Sequence, residues 1–141
     1  MKKKFSAGGV VACIAAVFTA AGLIAYLVNA GTNYYAKSGV DSTVVLCLAL
    51  AAVFSLIRLF VGQTGKPMWA DFLPICASVL AMAGFMFLLN ARVNSLAAVF
   101  TFENNAANMA DTTSCLVALA ASLLGVVVTI ISAFSDTAKE V

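Results

Sequence analysis

Four apolar stretches, each long enough to cross a bilayer, constrain this chain more than any other feature: Phe5 to Val28, Thr43 to Gly62, Trp69 to Leu89 and Thr113 to Phe134. A hydrocarbon core of roughly 30 Å takes about 20 helical residues at ~1.5 Å each. Transmembrane strands would be about 10 residues long with apolar and polar side chains alternating, and a run such as Cys47-Leu48-Ala49-Leu50-Ala51-Ala52-Val53-Phe54 does not alternate. Every backbone N–H and C=O in lipid must be satisfied within its own segment, so four such spans mean four helices. The composition agrees: 63% of residues are hydrophobic and 10% charged, against roughly 25% charged in a soluble domain. The predicted fold is all-α, one integral membrane four-helix bundle built from two helical hairpins over residues 1–141. A net charge of +2 is no footprint for nucleic acid, and the bilayer is the first expected partner.

Orientation follows from Lys and Arg. Lys2, Lys3, Lys4, Arg58, Lys66 and Lys139 fall on one side, and only Lys37 and Arg92 on the other. The positive-inside rule therefore predicts a multi-pass cell-membrane protein with both termini cytoplasmic. The first apolar stretch exceeds the ~7 to 15 residues of a signal-peptide core, so it is expected to stay as a span.

Acidic residues mark three helix starts, at Asp41, Asp71 and Asp111, where a carboxylate can accept from the free N–H groups of a first turn. Small residues recur every four positions along two spans: Gly8, Ala12, Ala16 and Ala20 in the first, Ala121, Gly125, Thr129 and Ala133 in the fourth. Helices in lipid associate through close packing of small side chains. These stripes are expected to join the first and fourth helices, or two copies of the chain.

A two-hairpin repeat is visible in Asn29-Ala30-x-x-Asn33 against Asn90-Ala91-x-x-Asn94 and in Asp41-Ser42-Thr43 against Asp111-Thr112-Thr113. One outer loop, 29–42, is short. The other, 90–112, is long and contains Leu96-Ala97-Ala98-Val99-Phe100-Thr101-Phe102 before Glu103. That apolar patch can extend the third helix, lie along the interface or receive a partner. Loop connections between packed helices commonly need only about 2 to 8 residues, so the extra length predicts partner recognition. Phe100 and Phe102 would be the anchors beside Val99, with Glu103 and Asn105 at the rim.

Chemistry is sparse. The chain has no histidine, which removes Ser-His and Cys-His nucleophiles and the HExxH zinc site. Cys13, Cys47, Cys76 and Cys115 fall one per span without a CxxC pair and read as packing residues, with a Cys47–Cys115 disulfide the alternative. No Asp, Glu or Lys lies at the centre of a span, where proton relays usually place one. Arg58, near the inner end of its helix, is expected to snorkel to headgroups or pair with Asp71 or Asp136. No catalytic, cofactor or metal site is predicted.

Small multidrug exporters carry an acid in the first helix, and disulfide-generating enzymes carry paired cysteines in outer loops; this chain has neither. Through Thr101-Phe102-Glu103-Asn104-Asn105, Asn108-Met109-Ala110-Asp111 and its Lys-rich start it resembles uncharacterised small four-span membrane proteins of Firmicutes, a resemblance that spans the chain and implies no activity. The predicted role is a non-enzymatic accessory subunit that anchors or stabilises a larger membrane protein. The alternative is a small transporter or channel acting as a homo-oligomer.

Overall fold

A computed structural model describes residues 6–64 and 67–135, apart from the side chain of Gln63. Lys2, Lys3, Lys4, Phe5, Lys66, Asp136 and Lys139, which enter the span, orientation and pairing expectations above, lie outside the described residues. Four helices carry the fold: α1 (Ala7–Ala30), α2 (Ser42–Thr64), α3 (Phe72–Thr101) and α4 (Ala106–Ala133). Two single 3-10 turns, Tyr35–Ser38 and Met68–Asp71, lie in the α1–α2 and α2–α3 connections. All four helices are long and apolar enough to cross a membrane. The protein is a multi-pass membrane protein with an all-α four-helix bundle.

The helices pack in a ring, α1 against α2 and α4, α3 against α2 and α4, so that α1 and α3 face each other across the diagonal. The end where α1 begins and α4 stops is called proximal here; the α1–α2 and α3–α4 connections lie at the distal end. Two apolar clusters fill the axis. Tyr26, Val44, Leu48, Leu88 and Ala118 close the distal half, and Ala51, Ala81 and Val126 the proximal half.

Starts and stops follow local chemistry. Ser6 caps α1 by accepting from Gly9 N–H at 3.3 Å, Asp41 caps α2 by accepting from Thr43 N–H at 2.9 Å, and Asn105 caps α4 by accepting from Asn108 N–H at 2.8 Å. Two expected starts are corrected. Asp71 makes no capping bond, because the 3-10 turn Met68–Asp71 runs straight into α3 and leaves Asp71 with helical backbone angles. Asp111 lies inside α4, since Asn105 is already an adequate cap and Ala106-Ala107 continue from it.

The expected long loop 90–112 is likewise corrected, and of the readings open for its apolar patch the extension of the third helix is the one observed. α3 runs on to Thr101 and α4 begins at Ala106, leaving 102–105 as the connection. Asn90, Arg92, Asn94 and Ser95 lower the hydropathy without breaking the helix, because none of them is Gly or Pro. At 30 and 28 residues, α3 and α4 are about 45 and 42 Å long, well beyond a hydrocarbon core of roughly 30 Å. The 24 and 23 residues of α1 and α2 give about 36 and 35 Å. Asn29, in the last turn of α1, meets Ser114, two turns inside α4, so the α3–α4 hairpin outruns α1 at the distal end by about 10 Å. The outer surface of α3 changes character along its length: the exposed residues Phe72, Ile75, Val79, Met82, Met86 and Phe87 are all apolar, and from about 27 Å above Phe72 exposed Asn90 and Asn94 are interspersed with Val93 and Phe100.

The buried face of α1 runs Gly8, Ala12, Ala15, Thr19, Gly22, Tyr26, Asn29, and that of α4 runs Thr112, Cys115, Ala118, Ser122, Gly125, Thr129, Ser132. Steps of three and four alternate along α1 and, from Cys115 on, along α4, the spacing of a left-handed bundle. Of the residues expected from strict steps of four, Gly8, Ala12, Ala16, Gly125 and Thr129 are buried, while Ala20, Ala121 and Ala133 are half-buried. Each step of four overshoots a full turn by about 40°, so a strict ladder rotates off the seam. Thr19, Gly22, Ser122 and Ser132 occupy the positions it leaves. Gly22 is required there: a Cβ on it would stand 2.5 Å from Ser122 Oγ and 3.1 Å from Ser122 N. Gly125 lies against Thr19 in the same way, its Cβ position 3.2 Å from Thr19 N.

Candidate functional site

The polar residues of the distal end converge on one side chain. Arg92 stands on the core face of α3, in register with buried Gly84, Leu88 and Val99, and is 1% exposed. Its guanidinium carbon lies 5.1 Å from the ring centre of Tyr26 on α1 and 5.3 Å from that of Tyr35 in the α1–α2 connection. Both distances fall within the ~6 Å of a cation–π contact. Nη2 donates to the Gly39 carbonyl at 3.2 Å, and Nε has no partner among the described residues. Arg92 thus reaches across the bundle diagonal and ties α3 to α1 and to the connection between α1 and α2.

That connection, residues 31–41, is a strap over the distal end. Tyr26 Oη accepts from Asp41 N–H at 2.7 Å, fixing the strap's last residue to α1. The Tyr35 hydroxyl pairs with the Thr112 hydroxyl at 3.1 Å, and the Tyr34 and Tyr35 rings meet edge to face at 5.1 Å. Tyr34 N–H donates to Asp111 Oδ2 at 3.0 Å, and Tyr34 Oη donates to Glu103 Oε2. Beneath the strap, Asn29 Nδ2 donates to Ser114 Oγ at 3.0 Å and to the Asp111 carbonyl at 3.4 Å, while its Oδ1 has no partner among the described residues. The strap leaves on Gly39, whose φ of 67° is a left-handed conformation that favours glycine.

The electrostatics of this end are uneven. Asp41, Asp111 and Glu103 accept from Thr43 N–H, Tyr34 N–H and Tyr34 Oη respectively, so all three acids are engaged away from Arg92. Each desolvated cation–π contact is worth about 2 kcal/mol, whereas withdrawing an unpaired cation from water costs several kcal/mol. Two rings and one carbonyl act against that cost, and Nε is left without a partner among the described residues. Glu103, by accepting the Tyr34 hydroxyl proton, holds the Tyr34 pKa up at about 12. Burial pushes the Tyr35 hydroxyl upward as well, against the opposing effect of its Thr112 hydrogen bond.

The residues expected to recognise a partner divide into two kinds. Phe100 and Phe102 are 52% and 90% exposed at the hairpin tip. Val99 is buried in α3, Glu103 holds Tyr34, and Asn105 caps α4; these three shape the tip. Arg58 donates to the Ser132 carbonyl, to Ser132 Oγ at 2.6 Å and to the Ser135 carbonyl at 2.5 Å, closing the last turn of α4. The four cysteines are free thiols, and Cys47 and Cys115 stand on the diagonal helices α2 and α4. Among the described residues, no group of three or more Cys, Asp or Glu is placed to hold a metal ion.

Reading the sequence for charge alone missed Arg92, Tyr26, Tyr35 and Asn29. The buried spacing of Ala77, Leu88 and Val99, about eleven residues apart, also takes Ala81 to position 92 and would have placed that side chain on the core face. Set against protein-family models, curated proteins and solved structures, the chain matches none of them.

Proposed function

We propose that this protein is a non-enzymatic accessory subunit of the membrane, anchoring or stabilising a larger membrane partner through its distal end, with that end outside the cell and both termini cytoplasmic. The observation that carries this reading is the α3–α4 tip. It rises about 10 Å past the end of α1 and holds Phe100 and Phe102 uncovered. Aromatic side chains contribute much contact area for little conformational entropy, and the bonds that Tyr34 donates to Glu103 and Asp111 tie the tip to the strap before any partner arrives. The packed Leu, Val, Tyr and Ala clusters on the axis support a scaffold role for a single copy.

The test is recovery of co-purifying membrane protein from mild detergent with the wild type and with the Phe100→Ala/Phe102→Ala double variant. Both side chains point away from the bundle, so the variant is expected to purify with unchanged helical signal and thermal midpoint while recovery of the partner falls at least tenfold. Undiminished recovery would move recognition elsewhere on the surface. A double variant that unfolds would show that the two rings pack on their own chain.

A further inference from the structure

Arg92 combines burial, an unengaged nitrogen and a position at the distal membrane boundary, and the three together point to a ligand. Twenty residues past Phe72, its backbone stands about 30 Å up α3, where a hydrocarbon core of that thickness meets the headgroups. Lipid phosphates are the anions that surround any protein at this depth.

We propose that Arg92 anchors a phosphate-oxyanion site at the distal interface, filled by the phosphate of a phospholipid in the distal leaflet or by inorganic phosphate. The guanidinium edge formed by Nε and Nη2 is the planar fork that takes two oxygens of one phosphate. Gly39 O occupies the Nη2 prong at 3.2 Å, and the Nε prong has no partner among the described residues. Tyr26 and Tyr35 lie against the guanidinium at 5.1 and 5.3 Å and resist its rotation. Entry needs one movement: the strap turns at Gly39, its carbonyl leaves Nη2, and phosphate takes both prongs. Exposed Lys37, on the same strap, adds a second positive charge at the mouth. Asp41, Asp111 and Glu103 also lie at this end, each engaged by its own donor. The inference is independent of the partner reading, which rests on the hairpin tip.

Arg58 and Arg92 are the two arginines of the chain, so selective 15Nε-arginine labelling gives two resonances, assigned with Arg58→Lys. The full-length protein in phosphate-free maltoside is titrated separately with short-chain phosphatidylglycerol, sodium phosphate, a short-chain glucosyl diacylglycerol and sodium acetate. The expected result is a saturable shift of the Arg92 resonance with a phosphate source, little movement of Arg58, and no response to the glycolipid. A response to phosphatidylglycerol alone identifies a lipid site, one to both sources a site for the phosphate group itself, and one to sodium phosphate alone a soluble-anion site. Arg92→Lys, which keeps the charge and loses the fork, should weaken phosphatidylglycerol retention in native mass spectrometry about tenfold. The inference is overturned if neither phosphate source moves the Arg92 resonance, if both arginines move in parallel, or if acetate moves it more than phosphate does, the last result assigning the edge to a carboxylate of a partner protein.

Discussion

Adding one methyl group at Gly22 tests the α1–α4 seam with a sign that competing effects make informative. A Cβ there meets Ser122 Oγ at 2.5 Å, Ser122 N at 3.1 Å and Ser122 Cα at 3.2 Å. The hydroxyl can rotate away, but the backbone atoms move only if the helices separate, by a few tenths of an ångström. Overpacking of this kind costs about 1–3 kcal/mol, against a gain of roughly 0.5–1 kcal/mol from replacing Gly by Ala within a helix. Gly22→Ala should therefore destabilise the bundle by about 1 kcal/mol, and Gly22→Leu should prevent its assembly. Ser122 Oγ is buried with no partner among the described residues, so Ser122→Ala removes an uncompensated hydroxyl at little or no cost. It also removes the closest contact, and the Gly22→Ala/Ser122→Ala pair should recover about half of the single-variant loss. Reversible unfolding in mixed micelles, read by circular dichroism, measures the cycle. Strict additivity, or a Gly22→Ala protein more stable than wild type, would refute the close approach of α1 and α4.

Two further outcomes follow from the polar ends. The raised Tyr34 pKa means that the folded protein holds that proton more tightly than the unfolded chain, so the Tyr34–Glu103 contribution is present below about pH 10 and is lost as pH rises through about 12; in a tyrosinate absorbance titration, Tyr34→Phe should remove the highest-pH step, and loss of a lower step instead would contradict the contact. Arg58→Ala should expose the Ser132 and Ser135 carbonyls and speed hydrogen exchange in the last turn of α4 at least tenfold, equivalent to about 1.4 kcal/mol, while leaving the distal end unchanged.

Hydropathy made the four spans legible because lipid selects for apolar side chains, and it misplaced the end of α3 for the same reason. Asn90 and Asn94 are exposed on α3, so the surface gains polar residues there without a change of secondary structure. Asp111 looked like a cap through its match with Asp41, yet Asn29 lies buried in the last turn of α1 while Asn90 is exposed in the middle of α3. The two hairpins are therefore not equivalent at their distal ends. Arg92 was counted as a charge on one side of the membrane. Its surroundings depend on Tyr26 and Tyr35, which only the closing of the strap brings to it, and no local pattern carries that information. The small-residue faces were half legible: glycine and alanine content announces close packing, and the alternation of three and four decides which of those residues touch.

With the distal end outside, as proposed, α3 crosses the membrane, leaves it near Asn90 and carries its last turns into the external medium. Single cysteines placed at Met86, Phe87, Asn90, Asn94, Ala97 and Thr101 in a Cys13, Cys47, Cys76 and Cys115-free protein, treated in intact cells with a membrane-impermeant maleimide, test it directly. Protection is expected at Met86 and Phe87 and labelling from Asn94 through Thr101. Protection that continues to Thr101 in intact cells, whether relieved only in inverted vesicles or in neither preparation, would contradict it.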